Sequence, residues 1–217
     1  ESLTLGEAEL VLAKDLKVVH KYGTVLRNID VNAVAARGLK LLTVRRRANV
    51  GCAEYAMALM LMLAKRLHET PNLLSMEQLR GAGFKPAHFD TRYSANSNWV
   101  RVGGMSNVLG DTLGIIGLGE IGREVAMRAH AFGMKILYTQ RTRWSAAVER
   151  EFHAEYRPME ALLAESDWVM PTLPLTRDSR HLLGATRLRQ MKRGARIVRS
   201  EEHTSELQSH LNLVCRL

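Results

Sequence analysis

The segment LGIIGLGEIGREVAMRAHAFGMKILYT, residues 113–139, constrains the fold more than any other part of the chain. An apolar run of strand type, residues 113–116, passes directly into Gly117, Gly119 and Gly122. A helical stretch, residues 121–132, then closes at Gly133 and leads into a second strand, MKILYT. Each glycine answers a distinct steric demand. Gly117 permits a tight turn, Gly119 leaves room for a pyrophosphate against the backbone, and Gly122 lets helix and strand approach closely. The helix start offers unpaired N–H groups and partial positive charge to an anion. Gly117, Leu118, Gly119, Glu120, Ile121 and Gly122 are therefore the candidate dinucleotide contacts.

The next strand ends in Thr139, Gln140, Arg141, Thr142 and Arg143. A site for NAD(H) places a carboxylate here, about 20 residues on, to accept the ribose hydroxyls. No carboxylate is present, and Arg141 and Arg143 both stand ready for a phosphate, which a guanidinium fork matches well. The expectation is a preference for NADP(H), with NAD(H) possible. Gln140, Arg141 and Thr142 are the candidate ribose contacts.

Elsewhere short apolar runs alternate with helical periodicity, the pattern of βαβ units and a parallel sheet. Residues 16–20 and 39–44 read as strands flanking a short helix that stops at Gly38. A longer helix spans 53–67, with Ala53, Ala56, Met57, Met60, Leu61, Ala64 and Leu67 on one face. Periodicity lapses over 69–108, where Gly, Pro, Ser and Asn collect. Further strands are expected at WVMPT and ARIV, with helices near 159–164 and at TRLRQM, so the second sheet has about four strands. Pro171 would forfeit a ladder hydrogen bond unless it lies at a strand end.

The chain carries 31 Lys and Arg against 22 Asp and Glu, a net charge of +9. Its densest basic cluster, Arg45–Arg47, lacks flanking aromatics, a repeated basic helix or zinc spacing, so nucleic-acid binding is not expected. No run reaches membrane-span length and the N-terminus lacks signal-peptide character, which makes a cytoplasmic setting the expectation. Cys52 and Cys215 are too few for a disulfide framework or a metal site.

Taken together, residues 16–198 resemble the D-isomer-specific 2-hydroxyacid dehydrogenases, which include glyoxylate/hydroxypyruvate reductases and phosphoglycerate dehydrogenases. The likeness rests on LKVVHKYGTVLRNIDVNAVAARGLKLLTV, on CAEYAMALMLMLAKRL, on the glycine-rich segment, and on LLAESDWVMPTLPLTRDSRHLLGATRLRQMKRGARIV. It implies an α/β architecture: an incomplete Rossmann-type doubly wound sheet with part of a flavodoxin-like substrate domain. The expected division is substrate domain with its crossover helix 1–68, crossover 69–108, nucleotide domain 109–198 and tail 199–217. The resemblance also implies hydride exchange with a small 2-keto or 2-hydroxy acid and a homodimer formed through the nucleotide domain. The same fold serves as a dinucleotide-sensing corepressor scaffold, which is the alternative reading.

By the same resemblance, Gly23, Thr24 and Val25 would meet the substrate carboxylate through backbone N–H groups. Val25 stands where many members have glycine, and Arg27 where many have Asp, so the identity of the acid stays open. Leu173, Pro174, Leu175 and Thr176 would border the adenosine half of the cofactor. The family's catalytic arginine, in an N-T-A-R-G motif, would fall at position 202, which is Glu202. No catalytic arginine, glutamate or histidine is assigned, and His20, His68, His88, His130, His153 and His181 have no telling carboxylate spacing. The ending, RSEEHTSELQSHLNLVCRL, resembles an in-frame translation of a short-read sequencing adapter, with the index across His210, Leu211 and Asn212. A truncated, catalytically inactive copy is the expectation.

Overall fold

A computed structural model describes residues 4–26, 28–69, 75–85, 102–174, 176 and 179–199. The chain divides into two units, 1–51 and 52–217.

In the first unit, β1 (Val18–Tyr22) and β2 (Lys40–Val44) lie parallel, with Val18 opposite Lys40 and Tyr22 opposite Val44. Parallel neighbours need a crossover, which α2 (Val31–Ala36) provides. Asp30 caps it, its Oδ1 accepting from the Ala33 N–H at 2.9 Å, and Gly38 ends the turn with φ +64°. Together with α1 (Glu7–Leu12), α2 covers one face of the pair, burying Leu10, Val19 and Val34. Val18, Tyr22, Leu42 and Val44 stay exposed.

The helix α3 (Arg47–Ala64) crosses the boundary between units. The sequence reading puts a division at 68/69, and the two compact units of the structure meet at 51/52. The cause is packing: Ala53, Ala56, Met57, Met60 and Ala64 are buried in the same core as Ile115 and Val125. Leu61 is partly buried and Leu67 exposed, on the 3-10 turn Leu67–Glu69 that follows; Leu59 and Leu63 complete the buried face. A further short helix, α4 (Met76–Gly81), forms within the expected crossover, capped reciprocally by Ser75 and Gln78.

The second unit holds a five-stranded, all-parallel sheet in the order β5-β4-β3-β6-β7. Its strands are β3 (Thr112–Ile116), β4 (Lys135–Thr139), β5 (Ala154–Tyr156), β6 (Trp168–Pro171) and β7 (Arg196–Ile197). The connecting helices are α5 (Glu120–Ala131), α6 (Ala146–Glu151), α7 (Met159–Glu165) and α8 (Ala185–Leu188). Alternate side chains along the strands serve two cores, as the two-residue strand period requires. Leu113, Ile115, Ile136, Tyr138, Trp168 and Met170 pack with α3 and α5 on one face. On the other, Ile116, Leu137, Val169 and Ile197 pack with Leu162 and Leu163 of α7. Burying each such side chain is worth about 1.5–3 kcal/mol, so both layers of helices are held by the sheet between them.

The sheet has five strands where the sequence pattern predicts about four. The additional strand, Ala154–Tyr156, is an edge of three residues, of which Ala154 is buried and Glu155 exposed. It is held by backbone pairing with β4 and carries no apolar run. Pro171 is the last residue of β6. The next N–H, of Thr172, donates to the Ile116 carbonyl, so the proline nitrogen faces the β7 side, where registered pairing stops at Val169–Ile197. No ladder bond is lost there.

Candidate functional site

The strand order reverses at β3. From there the chain runs outward through β4 to β5, then returns across β3 to β6 and β7. In parallel α/β sheets, ligands bind outside the carboxyl ends of the strands at such a reversal. Three loops meet there, following β3, β4 and β6.

The loop after β3 carries the glycine motif. Gly117 has φ +99°, and a Cβ on it would come 2.5 Å from Leu173 Cδ2. Gly122 sits in the first turn of α5, where a Cβ would come 2.5 Å from the Gly117 carbonyl oxygen and 3.3 Å from Ile115. Gly119 differs from both. Its φ is −81°, and a Cβ there would meet nothing within 4 Å. Neither backbone strain nor a protein neighbour requires glycine at 119, and the open space lies at the N-terminus of a 12-residue helix. That is the geometry of a backbone cradle for an anion, and it fits a dinucleotide pyrophosphate.

The loop after β6 closes over this turn. Leu173 covers Gly117, and the Thr172 hydroxyl donates to the Gly117 carbonyl in a short contact. Ser179 donates to the Pro174 carbonyl at 2.7 Å and accepts from the Thr176 N–H at 2.7 Å, which folds the loop back on itself. Leu175 lies outside the described residues.

The loop after β4 is pinned behind its exposed tip. Gln140 is half-buried, Arg141 and Thr142 are exposed, and the Gln140 amide donates to the Thr142 carbonyl at 2.5 Å. Arg143 does not stand ready for a phosphate. Its guanidinium holds Glu149 through two hydrogen bonds, Nε to Oε1 at 2.8 Å and NH2 to Oε2 at 2.9 Å. The Tyr138 hydroxyl donates to the same carboxylate at 2.8 Å and accepts from the Trp144 N–H at 3.0 Å. The Arg143 hydrogen bonds, ahead of the Tyr138 one, lower the Glu149 pKa to about 2. Burial, reinforced by Glu149, pushes the Tyr138 phenol up to about 12. Of the two candidate arginines only Arg141 keeps an exposed guanidinium with no partner among the described residues. Residue spacing could not show this, because both arginines look alike until α6 delivers Glu149.

Trp144, Tyr138 and Thr172 escape sequence reasoning. The Trp144 indole N–H donates to the Leu118 carbonyl at 2.9 Å, joining the loop after β4 to the glycine turn. A lone tryptophan after RTR gives no hint of a partner 26 positions away.

In the first unit, Gly23, Thr24 and Val25 follow β1. Gly23 has φ +110°, donates its N–H to the Val44 carbonyl at 2.7 Å, and lies under the Arg46 guanidinium, which donates to the Tyr22 carbonyl at 3.2 Å. Thr24 and Val25 are exposed. Arg27, His88 and Glu202 lie outside the described residues. Among the described residues, no three His, Cys, Asp or Glu side chains cluster to hold a metal, and no helix is long and apolar enough to cross a membrane.

Residues 57–200 match the NAD binding domain of the D-isomer specific 2-hydroxyacid dehydrogenases. The chain belongs to this family. Curated members similar to it include glyoxylate reductase of Pyrococcus horikoshii, 36% identical over 188 residues, covering 86% of this chain and 52% of that protein. Glyoxylate/hydroxypyruvate reductase B of Erwinia tasmaniensis is 35% identical over 187 residues, covering 86% and 53%. Among solved structures, a glyoxylate reductase from Paecilomyes thermophila superposes with a TM-score of 0.55 at 32% identity, covering 88% of this chain and 52% of that one. The Rhodotorula graminis D-mandelate dehydrogenase apo structure gives 0.56 at 26% identity, covering 85% and 51%. The chain spans about half the length of the curated relatives it matches. The family match begins within α3, in keeping with the packing of that helix on the nucleotide sheet. NAD binding and a Rossmann-type parallel fold follow for this family member.

Proposed function

We propose that this chain is the dinucleotide-binding part of a dehydrogenase that prefers NADP(H) and acts on a small 2-keto or 2-hydroxy acid. The observation that carries the reading is the open cradle at Gly119, at the start of α5 and the reversal of the sheet. When bound, the nicotinamide would supply the hydride chemistry. The residues of this chain bind and orient. Gly117, Leu118, Gly119, Glu120, Ile121 and Gly122 would face the pyrophosphate; Gln140, Arg141 and Thr142 the adenosine ribose; Leu173, Pro174 and Thr176 the adenosine side. Thr24 and Val25 would receive the substrate carboxylate on backbone N–H groups; Gly23, expected to join them, instead gives its N–H to the Val44 carbonyl and shapes the turn.

The preference for NADP(H) is supported by the absence of a carboxylate after β4 and by the exposed Arg141. Calorimetric titration of the chain with NADPH and NADH tests it: tighter NADPH binding is expected, and tighter NADH binding would overturn the preference. Binding of neither would overturn the cofactor reading itself. Glyoxylate and hydroxypyruvate, the acids in the relatives' names, are the first substrates to test on a complete protein.

The 217-residue chain by itself is proposed to be inactive. Glu202 occupies the position of the family arginine. Among the described residues, the one histidine paired with a carboxylate is His68, 3.7 Å from Glu69, which also pairs with Arg66. NADPH oxidation by this chain in the presence of hydroxypyruvate would refute the proposal. A cytoplasmic homodimer, paired through the nucleotide unit, completes the family-based reading; light scattering on a complete protein tests the dimer.

A further inference from the structure

We propose that Trp144 is a positioning residue for the dinucleotide, making the pyrophosphate turn and the ribose loop a single binding edge. The inference rests on the cofactor reading above and adds to it a residue outside the glycine motif.

Two loops that must act on one ligand are here joined to each other. The Trp144 indole N–H donates to the carbonyl of Leu118, the residue between Gly117 and Gly119. Arg123, one residue past the motif's last glycine, stacks its guanidinium on the Trp144 ring at 4.2 Å. The same guanidinium lies 5.4 Å from the Phe152 ring, and its Nε donates to the Leu118 carbonyl at 3.4 Å. One oxygen thus receives donors from the loop after β4 and from α5, and the cation–π contact holds those donors together. Behind the exposed tip, the Trp144 backbone N–H on Tyr138 and Arg143 on Glu149 fix the loop to β4 and α6. The tip, Gln140–Thr142, therefore starts from an anchored base. Anchoring lowers the ordering cost that a ligand would otherwise meet when spanning two independent loops.

The link should matter most to ligands that engage both loops. A dinucleotide does so, whereas 2′-AMP, which has the ribose phosphate and no pyrophosphate, engages one. The test is calorimetric titration of the 217-residue chain and its Trp144→Phe variant with NADPH, NADH and 2′-AMP. Phe keeps a ring for Arg123 to stack on and removes the indole N–H. Loss of one hydrogen bond's net contribution predicts that NADPH and NADH both weaken about fivefold or more, with 2′-AMP changed by less than about twofold. Unchanged dinucleotide affinity would overturn the proposal. So would an equal loss for 2′-AMP, which would confine Trp144 to shaping its own loop. Should Trp144→Phe fail to fold, Arg123→Met leaves the indole N–H and removes the stacked cation. The same selective loss, smaller in size, is then expected, and no selectivity would count against the proposal. If the unaltered chain binds 2′-AMP but neither dinucleotide, the cofactor reading fails first, which is a result distinct from any variant effect.

Discussion

A methyl group on Gly122 would come 2.5 Å from the Gly117 carbonyl oxygen, whereas one on Gly119 would meet no protein atom within 4 Å. Packing therefore demands glycine at 122, whereas at 119 it leaves open the space in which the proposed reading puts the pyrophosphate. Gly119→Ala is expected to cost only about 0.5–1 kcal/mol, as an altered helix N-cap, yet to weaken dinucleotide binding more than about tenfold by filling the cradle. Gly122→Ala is expected to destabilise by about 2–3 kcal/mol through overpacking against backbone. Urea denaturation paired with calorimetry separates them. Equal stability losses in the two variants would contradict the assignment.

Gly114 illustrates the same steric logic away from the site. Although it lies mid-strand in β3, a Cβ there would come 2.2 Å from Ser166 Oγ and 2.7 Å from Leu162 Cδ2. Ser166 is fully buried and donates to the Leu162 carbonyl at 2.6 Å, so it cannot swing away without losing that bond. Gly114→Ala should destabilise by about 2–3 kcal/mol. Combined with Ser166→Ala, the loss should be smaller than the sum of the two single losses, a coupling of about 0.5–1 kcal/mol between contacting residues. Leu162 still obstructs the methyl, so rescue is partial. Strict additivity in a denaturation cycle would refute the contact.

The Glu149 carboxylate predicts a pH dependence with a definite sign. Its pKa is about 2 in the folded chain, against an ordinary value near 4.5, because Arg143 and Tyr138 hydrogen-bond its charged form. A lowered folded pKa makes the unfolded chain bind more protons, so this stabilisation is fully present above about pH 4.5 and is lost as pH falls toward 2. Glu149→Gln removes that dependence. The stability gap between the unaltered chain and the variant should therefore narrow steadily from pH 5 to pH 2.5 in urea denaturation. A gap independent of pH would show that the ion pair contributes nothing to folding.

What could be read in the sequence is what local sterics and periodicity encode. Gly117 and Gly122 were legible because a positive φ at the first and the close approach of the second to the Gly117 carbonyl arise within the turn itself, whereas Gly119 was read from the motif alone, since no protein atom demands it. The buried face of α3 was legible too, since Ala53, Ala56, Met57 and Met60 recur at helical spacing. The surface that covers it was not, because an amphipathic face does not name its partner. Strand β5 was hidden for another reason: its three residues are recruited by the free edge of β4, through backbone groups every sequence possesses. Trp144 on Leu118 and Arg143 on Glu149 depend on how one loop is folded, and no spacing rule encodes that.

The two arginines after β4 provide the sharpest separation of ligand binding from folding. Arg141 is exposed with no partner among the described residues, while Arg143 spans both oxygens of Glu149 and lies 5.5 Å from the Tyr156 ring. Removing Arg141 should leave the unfolding midpoint essentially unchanged, since exposed side chains without partners contribute within about 0.5 kcal/mol. It should nevertheless lower NADPH affinity about tenfold, the scale of a lost charge-assisted contact, and leave NADH nearly untouched. Arg143→Ala should do the reverse. It strips Glu149 of its principal cation partner, so stability falls at neutral pH and the acid-sensitive component described above is largely lost. Any weakening of NADPH should then be matched by NADH, because the loop has loosened and no phosphate contact was removed. If instead Arg143→Ala abolishes the preference for NADPH and Arg141→Ala does not, then Arg143 must leave Glu149 when the cofactor binds, and the assignment of the 2′-phosphate to Arg141 is wrong.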